Sequence, residues 1–575
     1  MLSNADIARV MREIAVFLDM EGVAFKPRAY EKVAYAVEAV DEPIAAIYQR
    51  GGVKAVEQIP GVGKSIAEKI ATLIETGHLP YYEELRQRTP VDVAGLTAIE
   101  GLGPKNIKVL YEKLGVRTIA DLEKAARSGR IRALEHFGEK SEQKILKGIG
   151  FLKQSGGRFP LGAVLPVMDE IQARLERLRG VKQVAIAGSI RRRKETIGDG
   201  DILVVAPKPD AVMDFFVRMP EVVHVHGKGH TKSSIKLNTG MDVDLRVVPA
   251  QSFGAALNYF TGSKDHNVAL RRRAIERHLK LNEYGVFRGD KAIAGRTEEE
   301  VYAALDLPYI PPELREMTGE IEAAAAGKLP DLIGYEDLRG DLQTQTSWTD
   351  GSNSIEDMAA EAQRLGLEYI AITDHTKSLA MTGGSDEKKL RKQMAAIARI
   401  NKKLSGITLL SGAEVNINKD GSLDIDDATL AQLDVVGVAV HSHFNLPRAE
   451  MTRRVIRAME NPHADILFHP TGRVLQKRAP YDIDIDAVIR AAKRTGTVLE
   501  IDAYPDRLDL KDEHARKAVD AGVKLVVDSD AHNINHFHNL HFGIATARRG
   551  WATRHDVINT QPLRPFLQGL KGRAG

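Results

Sequence analysis

Three patterns of hydrophobic and polar positions follow one another along the chain. Over residues 1–90, apolar residues recur at three- and four-residue spacing, which predicts amphipathic helices. From about residue 160 to 315, short strands alternate with helices, which predicts an α/β unit. Beyond about residue 335, short apolar strands alternate regularly with helices, as is typical of a parallel (β/α) barrel of seven or eight units.

Composition then narrows the classes of function. A chain of 575 residues suffices for several domains, each with its own core. The net charge is only +3, so any contact with a nucleic acid must come from local basic patches. The absence of cysteine excludes disulfides and thiolate metal sites and leaves Asp, Glu and His as metal ligands. The sequence shows neither a signal-peptide core nor an apolar run of membrane-spanning length, so we expect a cytoplasmic protein without a membrane partner.

One stretch of the α/β part combines a Gly-Ser turn, a run of four cations and two acids. The turn Gly188-Ser189 follows an apolar strand, and Asp199 and Asp201 open the next strand. On a strand this spacing places both carboxylates on one face, where a divalent cation offsets their repulsion. Backbone N–H groups, a hydroxyl and guanidinium groups upstream suit a triphosphate. An exposed, salt-bridged hairpin is the alternative for so short a motif, but the Gly-Ser turn and the arginines favour metal-dependent nucleotidyl transfer.

Two later stretches extend this pattern. The strand 241–248 alternates acids with apolar residues, so Asp242 and Asp244 share a face, and either would complete a three-carboxylate metal site. The turn 258–263 (Asn-Tyr-Phe-Thr-Gly-Ser) precedes a basic helix over 268–279. A basic helix is usually a solvated face, and after an aromatic-Gly-Ser turn it is equally suited to line a pocket for a nucleotide and a template.

Two glycine turns in the helical part share the layout Ile-x-Gly-x-Gly followed by a lysine. Without a Cβ, such turns let backbone N–H groups approach a phosphate. A single copy is usually a tight turn, whereas two copies resemble helix–hairpin–helix motifs, which hold the DNA backbone irrespective of sequence. The DNA-binding residues that we expect from these turns are Gly61, Gly63, Lys64, Gly101, Gly103 and Lys105.

Residues 1 to about 315 resemble a bacterial X-family DNA polymerase, akin to DNA polymerase beta. The motifs GSIRR…GDGD, DLRVVP, YFTGS and LNEYGVF carry the resemblance, together with the two hairpins. It implies Mg²⁺-dependent addition of dNTPs to gapped or primed double-stranded DNA. The catalytic metal ligands that it implies are Asp199, Asp201 and Asp244, the last chosen over Asp242 because Asp-Leu-Arg matches the family pattern. The nucleotide-binding residues that it implies are Gly188, Ser189, Arg192, Tyr259, Phe260, Gly262, Asn267 and Arg271.

Two positions depart from the family pattern. Lys264 stands where DNA polymerase beta has an acid packed on the incoming base, and we expect it to hold the nucleotide before DNA arrives. Lys69 matches the Schiff-base lysine of a 5′-deoxyribose phosphate lyase, an amine nucleophile for a sugar aldehyde, with Lys26 and Tyr30 as neighbours. An ordinary exposed lysine is the alternative, and Ser65 replaces a nearby family lysine, which weakens the lyase hypothesis.

Polar residues follow nearly every strand of the predicted C-terminal barrel, and 11 of the 18 histidines lie beyond residue 330. Barrel active sites gather at such strand ends. The motifs Thr-Asp-His, Gly-Ala-Glu, His-Ser-His, His-Pro-Thr-Gly-Arg and Asp-Ser-Asp-Ala-His resemble those of a PHP (polymerase and histidinol phosphatase) domain. The resemblance implies a cluster of three metals that hydrolyses phosphoesters. The ligands that it implies are Asp350, His375, Glu414, His441, His469, Asp530 and His532.

The first PHP motif is altered, since Asp-Leu-His-x-His here reads Asp-Leu-Gln-Thr-Gln at 341–345. Gln343 and Gln345 each offer a neutral amide oxygen, a poorer ligand for a transition metal than imidazole. We expect a 3′→5′ exonuclease that uses Mn²⁺ or Zn²⁺, at a site with fewer or more weakly held metals. A barrel that serves only as a scaffold is the alternative.

We therefore predict a multidomain α and α/β protein with helix–hairpin–helix N-terminal domains, a nucleotidyltransferase palm with a thumb, and a C-terminal PHP (β/α)7-type barrel. It would act as a monomer that fills short gaps in base-excision or end repair. An RNA or small-molecule nucleotidyltransferase and a DNA-end-binding scaffold are the alternatives. The predicted segments are a lyase-like helical domain 1–90, fingers 91–155, palm 156–250, thumb 251–315, linker 316–335 and PHP domain 336–575.

Overall fold

The computed structural model separates the chain into two compact units. The N-terminal unit comprises residues 1–156 with 476–479, and the C-terminal unit comprises 157–475 with 480–575. No helix among the described residues is long and apolar enough to cross a membrane. The residues that the structure describes are 2, 4–38, 40, 42–59, 61–97, 99, 102–154, 156–379 and 382–571.

Among the described residues of 1–156, the regular elements are helices, which confirms the prediction from the apolar spacing. One hydrophobic core joins its helices and runs from Ile7 to Ile149, so the two predicted N-terminal domains share their buried side chains. The helices are α1 (Asn4–Met20), α2 (Lys26–Glu38), α3 (Ile44–Glu57), α4 (Lys64–Thr76), α5 (Pro80–Arg88), α6 (Val93–Thr97), α7 (Pro104–Leu114), α8 (Ile119–Arg127) and α9 (Glu139–Gln154).

A five-stranded mixed sheet opens the C-terminal unit. Its strand order is β2-β4-β7-β6-β5, and β4 and β7 are the parallel pair at its centre. Side chains of α10 and α12, Met168 and Phe216 among them, bury one face of this sheet. The elements are β1 (Phe159–Pro160), α10 (Leu161–Glu176), β2 (Gln183–Ile186), α11 (Gly188–Arg191), β3 (Thr196–Ile197), β4 (Asp199–Val205), α12 (Pro209–Val217), β5 (Val222–Lys228), β6 (Lys232–Leu237) and β7 (Asp242–Val247).

A small helical subdomain with a three-stranded sheet follows. Residues 316–335, the predicted linker, pack against it, because Ile321 and Ala324 enter its core and Glu320 accepts a 2.7 Å hydrogen bond from His266. The domain boundaries stay predictions. The elements are α13 (Phe253–Thr261), α14 (Lys264–Glu276), β8 (Lys280–Asn282), β9 (Gly285–Arg288), β10 (Lys291–Ala294), α15 (Glu298–Ala304) and α16 (Glu320–Ala325).

Seven parallel strands in sequential order form the C-terminal barrel. The first and last strands nearly close it, since the N–H of Ala531 donates to the carbonyl of Gln343 (3.1 Å). Of the seven or eight predicted units, seven are present in the described residues. The elements are β11 (Gly340–Thr344), α17 (Ile355–Arg364), β12 (Tyr369–Ile372), α18 (Glu387–Asn401), β13 (Thr408–Asn416), α19 (Asp427–Leu430), β14 (Val435–Ala439), α20 (Arg448–Met459), β15 (Ile466–Leu467), α21 (Ile485–Thr495), β16 (Val498–Asp502), α22 (Asp512–Ala521), β17 (Leu525–Asp528), α23 (Leu540–Arg549) and α24 (Leu563–Gly569).

Candidate functional site

Three carboxylates converge where β4 and β7 begin. Asp201 and Asp244 are register partners on these parallel strands, and Asp199 lies two residues before Asp201 on the same face. Burial, followed by the charges of Asp199 and Asp244, raises the pKa of Asp201 to about 7. Burial also raises the pKa of Asp244, but hydrogen bonds from Lys232 and Ser234 outweigh it and hold that pKa below its ordinary value. This crowding of negative charge fits a divalent cation.

Asp242, the other acid on β7, has different surroundings. It is the register partner of Asp199, and its Oδ1 lies 2.7 Å from Nζ of Lys236 and 2.8 Å from Nε2 of His226. These two hydrogen bonds lower the pKa of Asp242, whose carboxylate is therefore already compensated at the start of β7. The register thus groups Asp244, rather than Asp242, with Asp201.

A cavity of about 560 Å³ adjoins the carboxylates. Its lining includes Asp199, Asp201 and all nine residues that the sequence predicts to bind the nucleotide: Gly188, Ser189, Arg192, Tyr259, Phe260, Gly262, Lys264, Asn267 and Arg271. Arg158 and Lys194 add two cations to the lining that the sequence motifs do not predict. Positive charge on several sides suits a polyphosphate.

Two glycines allow the close packing of this site. Gly188 has φ +64°, and a Cβ there would lie 2.6 Å from Oδ2 of Asp201. Gly262 has φ +67°, and its Cβ would lie 3.2 Å from Nη1 of Arg192. Any other residue at Gly188 would displace the carboxylate and strain the backbone as well.

The aromatic-Gly-Ser turn contacts side chains of α14, β7 and α11. Nδ2 of Asn267 donates to the carbonyl of Tyr259 (2.6 Å), and the guanidinium of Arg246 lies 4.6 Å from the ring centroid of Phe260. Nη1 of Arg191 donates to Oγ1 of Thr261 at the end of α13 (2.8 Å). These contacts orient the side chains that face the cavity.

A buried ion triad lies behind the turn, and the sequence motifs do not predict it. The carboxylate of Glu298 accepts from Nη2 of Arg191 (2.6 Å) and Nη1 of Arg315 (2.6 Å). Burial raises the pKa of Glu298, but the charges of Arg315 and Arg191 outweigh it and hold the pKa at about 2. The triad therefore stays charged and ties the Gly-Ser turn after β2 to the helical subdomain.

Glu414 is the centre of a second cluster, inside the barrel. Its Oε1 lies 2.8 Å from Nε2 of His441 and 2.9 Å from Nε2 of His469, and its Oε2 lies 3.2 Å from Nδ1 of His375. Burial raises the pKa of Glu414, but the histidines outweigh it and hold that pKa well below its ordinary value. Nε2 of Gln345 also donates to Oε2 of Glu414 (3.0 Å).

Asp350 links His375 to one further histidine, His532. Its Oδ2 lies 3.5 Å from Nε2 of His375 and 3.6 Å from Nε2 of His532. Asp530 lies close, with Oδ1 3.8 Å from Nδ1 of His532. In two groups, Asp350–His375–His532 and His375–Glu414–His441, ligand atoms lie within 4.8 Å of one another, a spacing that a metal ion can bridge. The structure therefore brings the seven predicted ligands together, and the donor set fits a metal.

The two glutamines of the altered motif keep buried amide atoms unpaired. Within the part of the chain that the structure describes, both amide atoms of Gln343 and Oε1 of Gln345 have no hydrogen-bond partner. Arg507, which the sequence motifs do not predict, approaches the site, with Nε 3.3 Å from Oδ2 of Asp502 and 3.6 Å from Oδ2 of Asp530. Unpartnered buried amides are costly, so the site keeps polar atoms available to a ligand.

Lys69 lies half-buried on α4 in the N-terminal unit. Its Nζ donates to Oγ of Ser65 (3.0 Å) and lies 5.1 Å from the ring centroid of Tyr81. Burial lowers the pKa of Lys69, the charge of Glu68 opposes this, and the charge of Lys26 lowers the pKa further. A lowered pKa makes an amine a better nucleophile at neutral pH.

The second glycine of each hairpin motif lies at the start of a helix. Gly63 precedes α4 and Gly103 precedes α7, and a Cβ at either would meet no atom of the described residues within 4 Å. Gly61 has φ +82°, and Lys64 and Lys105 lie exposed in the first turns of these helices. The predicted Gly101 lies outside the described residues.

Comparison with known families gives four matches along the chain. Models of a helix-hairpin-helix domain and of a SAM-like helix-hairpin-helix tandem match residues 2–79 and 93–150. The DNA polymerase beta thumb matches residues 256–316, and the PHP domain matches residues 341–502. These matches define a polymerase beta-like protein joined to a PHP domain.

Comparison with curated proteins extends the similarity to the whole chain. The chain is 36% identical to the "DNA polymerase/3'-5' exonuclease PolX" of Bacillus subtilis over 578 residues, which cover 99% of this chain and 100% of that protein. DNA polymerase lambda of Rattus norvegicus is 24% identical over 54% of this chain and 56% of its own. A probable phosphatase of Thermoanaerobacter sp. is 29% identical over 39% of this chain and 91% of its own. The chain belongs to the X-family DNA polymerases that carry a PHP domain, as the sequence motifs predict.

Proposed function

We propose that this DNA polymerase fills short gaps in double-stranded DNA, with Asp199, Asp201 and Asp244 holding Mg²⁺. The observation that carries the proposal is the grouping of these carboxylates beside a cavity lined by Arg192 and Lys264. When bound, Mg²⁺ would activate the primer 3′-hydroxyl and stabilise the charge on phosphorus and on the leaving pyrophosphate.

Different residues of the cavity would bind different parts of the dNTP. Ser189, the N–H groups of its turn and the guanidinium of Arg192 suit the triphosphate, whose oxygens accept several hydrogen bonds at once. Lys264 would hold the nucleotide before DNA arrives. Among the other lining residues, we assign Tyr259, Phe260 and Gly262 to the sugar of the dNTP. We assign Asn267 and Arg271 to the minor-groove side of the new base pair.

The helical unit would supply contacts to the DNA backbone. The open glycine turns at the starts of α4 and α7 present N–H groups and a lysine to solvent, which suits phosphates at either side of a gap. We further propose that the enzyme works as a monomer in the bacterial cytoplasm, where its DNA substrate lies. Sedimentation of the purified chain would test the oligomeric state.

Primer extension on DNA with a one-nucleotide gap tests the polymerase proposal. Asp201→Ala should reduce insertion by at least about a hundredfold, because it removes a carboxylate at which charge is stabilised in the transition state. Its binding to gapped DNA should stay close to that of the wild type. Asp242→Ala is the matched control, since this acid faces Lys236 and His226 instead, and it should retain insertion. Equal extension by Asp201→Ala and the wild type would overturn the assignment.

An RNA or small-molecule nucleotidyltransferase would share the three acids but not the other features. The paired hairpin matches and the thumb match favour DNA. Extension of an RNA primer in preference to gapped DNA would favour the alternative.

We propose that the barrel is a metal-dependent 3′→5′ exonuclease that uses Mn²⁺ or Zn²⁺. Support comes from the two groups of ligand atoms within 4.8 Å around His375 and from the unpartnered amide atoms beside them. When bound, such a metal would lower the pKa of water and so supply the nucleophile for phosphodiester hydrolysis. The two glutamines make a depleted metal site, and a purely structural barrel is the competing proposal.

Lys69 would give the N-terminal unit a 5′-deoxyribose phosphate lyase activity. The half-buried amine has a lowered pKa and lies beside Tyr81. In the lyase reaction the amine attacks the C1′ aldehyde of the abasic sugar, and water is lost as the Schiff base forms. Loss of a C2′ proton then breaks the C3′–O bond and releases DNA that ends in a 5′-phosphate, and hydrolysis of the Schiff base frees the lysine.

A further inference from the structure

An arginine of helix α23 in the PHP barrel contacts a residue that lines the polymerase cavity. Nη1 of Arg549 donates to the backbone carbonyl of Arg192 (2.7 Å) and to Oε1 of Glu316 (3.2 Å). Its Nε donates to Oδ2 of Asp512 on α22 (2.8 Å). The side chain of Arg549 is only 5% exposed, so these contacts are shielded from water.

Glu316 bridges Arg549 and the side chain of Arg192. Its Oε1 accepts from Nε of Arg192 (2.9 Å) and from Nη1 of Arg549, so one carboxylate oxygen lies between the two guanidinium groups. Nη1 of Arg192 also donates to the carbonyl of Thr261. Arg192 is therefore held at its backbone, at Nε and at Nη1 while it lines the nucleotide cavity.

The acids in these contacts are held in their charged form by the neighbouring arginines. Burial raises the pKa of Glu316, but the charges of Arg192 and Arg549 outweigh it and hold the pKa below its ordinary value. The same holds for Asp512, whose pKa is raised by burial and lowered more strongly by Arg549. The backbone after Arg192 is also unusual, since Arg193 has φ +54°. The carbonyl that Arg549 holds thus belongs to a turn that the local sequence alone does not favour.

We propose that Arg549 of the PHP barrel is a positioning residue for nucleotide binding, which sets the Arg192 guanidinium at the triphosphate through Glu316 and the Arg192 carbonyl. The proposal rests on the proposed function of Arg192 as a triphosphate ligand. It explains why a barrel with its own site would remain joined to this polymerase, because the barrel completes the support of a nucleotide-binding side chain.

Arg548, the preceding residue, provides a matched control on the same helix. Its Nε donates to Oε1 of Glu313 (2.8 Å), and its Nη1 donates to the carbonyl of Ile333 (2.7 Å). It therefore joins the barrel to the preceding segment through an ion pair of the same type. No hydrogen bond or ion pair between Arg548 and Arg192 occurs among the described residues.

The test is single-nucleotide insertion on gapped DNA by full-length variants, with KM for the dNTP, kcat and the inhibition constant of pyrophosphate measured together. Arg549→Gln and Arg549→Lys should each raise KM about tenfold, the size expected for loss of a buried charged hydrogen bond. The change in kcat should be smaller, and pyrophosphate inhibition should weaken in parallel with KM, because both ligands use Arg192. Arg548→Gln and Arg548→Lys should leave all three values unchanged.

Arg549→Lys keeps the positive charge between Asp512 and Glu316, so it decides the matter if Arg549→Gln fails to fold. Values for the folded Arg549 variants equal to those for the Arg548 variants would overturn the proposal. So would a rise in KM without weaker pyrophosphate inhibition. Arg192→Gln tests the triphosphate assignment separately. An unchanged KM in Arg192→Gln would overturn the assignment of Arg192 to the triphosphate. A raised KM in Arg192→Gln with an unchanged KM in Arg549→Lys would overturn only the role of Arg549.

Discussion

Gln345 donates a hydrogen bond from Nε2 to Oε2 of Glu414 across 3.0 Å inside the PHP barrel. An amide donor thus occupies one lone pair of the central carboxylate, where the family motif has a histidine. The amide of the nearby Gln343 has no hydrogen-bond partner among the residues that the structure describes. The barrel therefore retains its acid and most of its histidines, but one side of the site has lost imidazole donors.

Restoring these donors should strengthen the site. We predict that Gln343→His with Gln345→His increases the number of Mn²⁺ ions bound per chain and increases exonuclease activity, because imidazole is the better ligand for a transition metal. Metal content by mass spectrometry after desalting measures the first effect without any assay of activity. The single variants should give intermediate values. A double variant with wild-type metal content would mean that the two glutamine positions do not face a metal.

Asp201 should make the stability of the metal-free protein depend on pH. Burial and the charges of Asp199 and Asp244 raise its pKa from 3.8 to about 7. The folded state therefore keeps a proton that the unfolded state has already released, and this carboxyl costs stability increasingly as the pH rises from about 4 to about 7. In EDTA, Asp201→Asn should raise Tm relative to the wild type more at about pH 8 than at about pH 4.

Added Mg²⁺ supplies the control for this effect. It should raise the Tm of the wild type at high pH, since it compensates the carboxylates, and should raise that of Asp201→Asn less. A Tm difference between variant and wild type that is the same at both pH values would contradict the raised pKa.

Gly188 should be irreplaceable for insertion. A Cβ at this position would lie 2.6 Å from Oδ2 of Asp201, and φ is +64°. Gly188→Ala should therefore displace the carboxylate and reduce kcat/KM for gap filling by at least about a hundredfold. Gly180→Ala is the matched control, because Gly180 also has positive φ (+91°) and the nearest atom to its Cβ in the described residues would be Cγ of Pro207, at 3.8 Å. Similar activity in both variants would show that the contact with Asp201 does not matter.

Lys69 should be the residue that forms the Schiff base. Borohydride reduction during incubation with a 5′-deoxyribose phosphate end should attach DNA covalently to the wild type and not to Lys69→Ala. Lys26→Ala should retain attachment, because the charge of Lys26 lowers the pKa of Lys69 but its own amine does not form the Schiff base. Undiminished attachment in Lys69→Ala would assign the chemistry to another amine.

The sequence predicts well those features of the fold and of the sites that depend on residues close together along the chain. Helical spacing, the two glycine turns and the strand-end acids and histidines identify the fold classes and the candidate ligands. The cavity likewise contains the predicted nucleotide-binding residues, because short motifs on adjacent elements supply them. Spacing alone leaves the choice between Asp242 and Asp244 open. The family motif favours Asp244, and the register of β4 and β7 places Asp244 beside Asp201.

Contacts between distant segments are not predictable in this way. Arg549 and Arg192 are separated by 357 positions, and Arg191 and Glu298 by 107. The local sequence pattern does not predict such partners, because each arginine by itself is indistinguishable from an ordinary charged residue on a helix surface. Arg507 approaches Asp530 only because the barrel brings the ends of two strands together.

The central claim is that one chain carries two separate metal-dependent sites that act on DNA. Its most direct test is degradation of a 3′-labelled primer–template in Mn²⁺ by a chain carrying Asp199→Ala and Asp201→Ala, with and without Glu414→Ala. The account predicts degradation by the first protein and its loss with Glu414→Ala, because Glu414 is the carboxylate that contacts His375, His441 and His469. No degradation by either protein, or equal degradation by both, would contradict it.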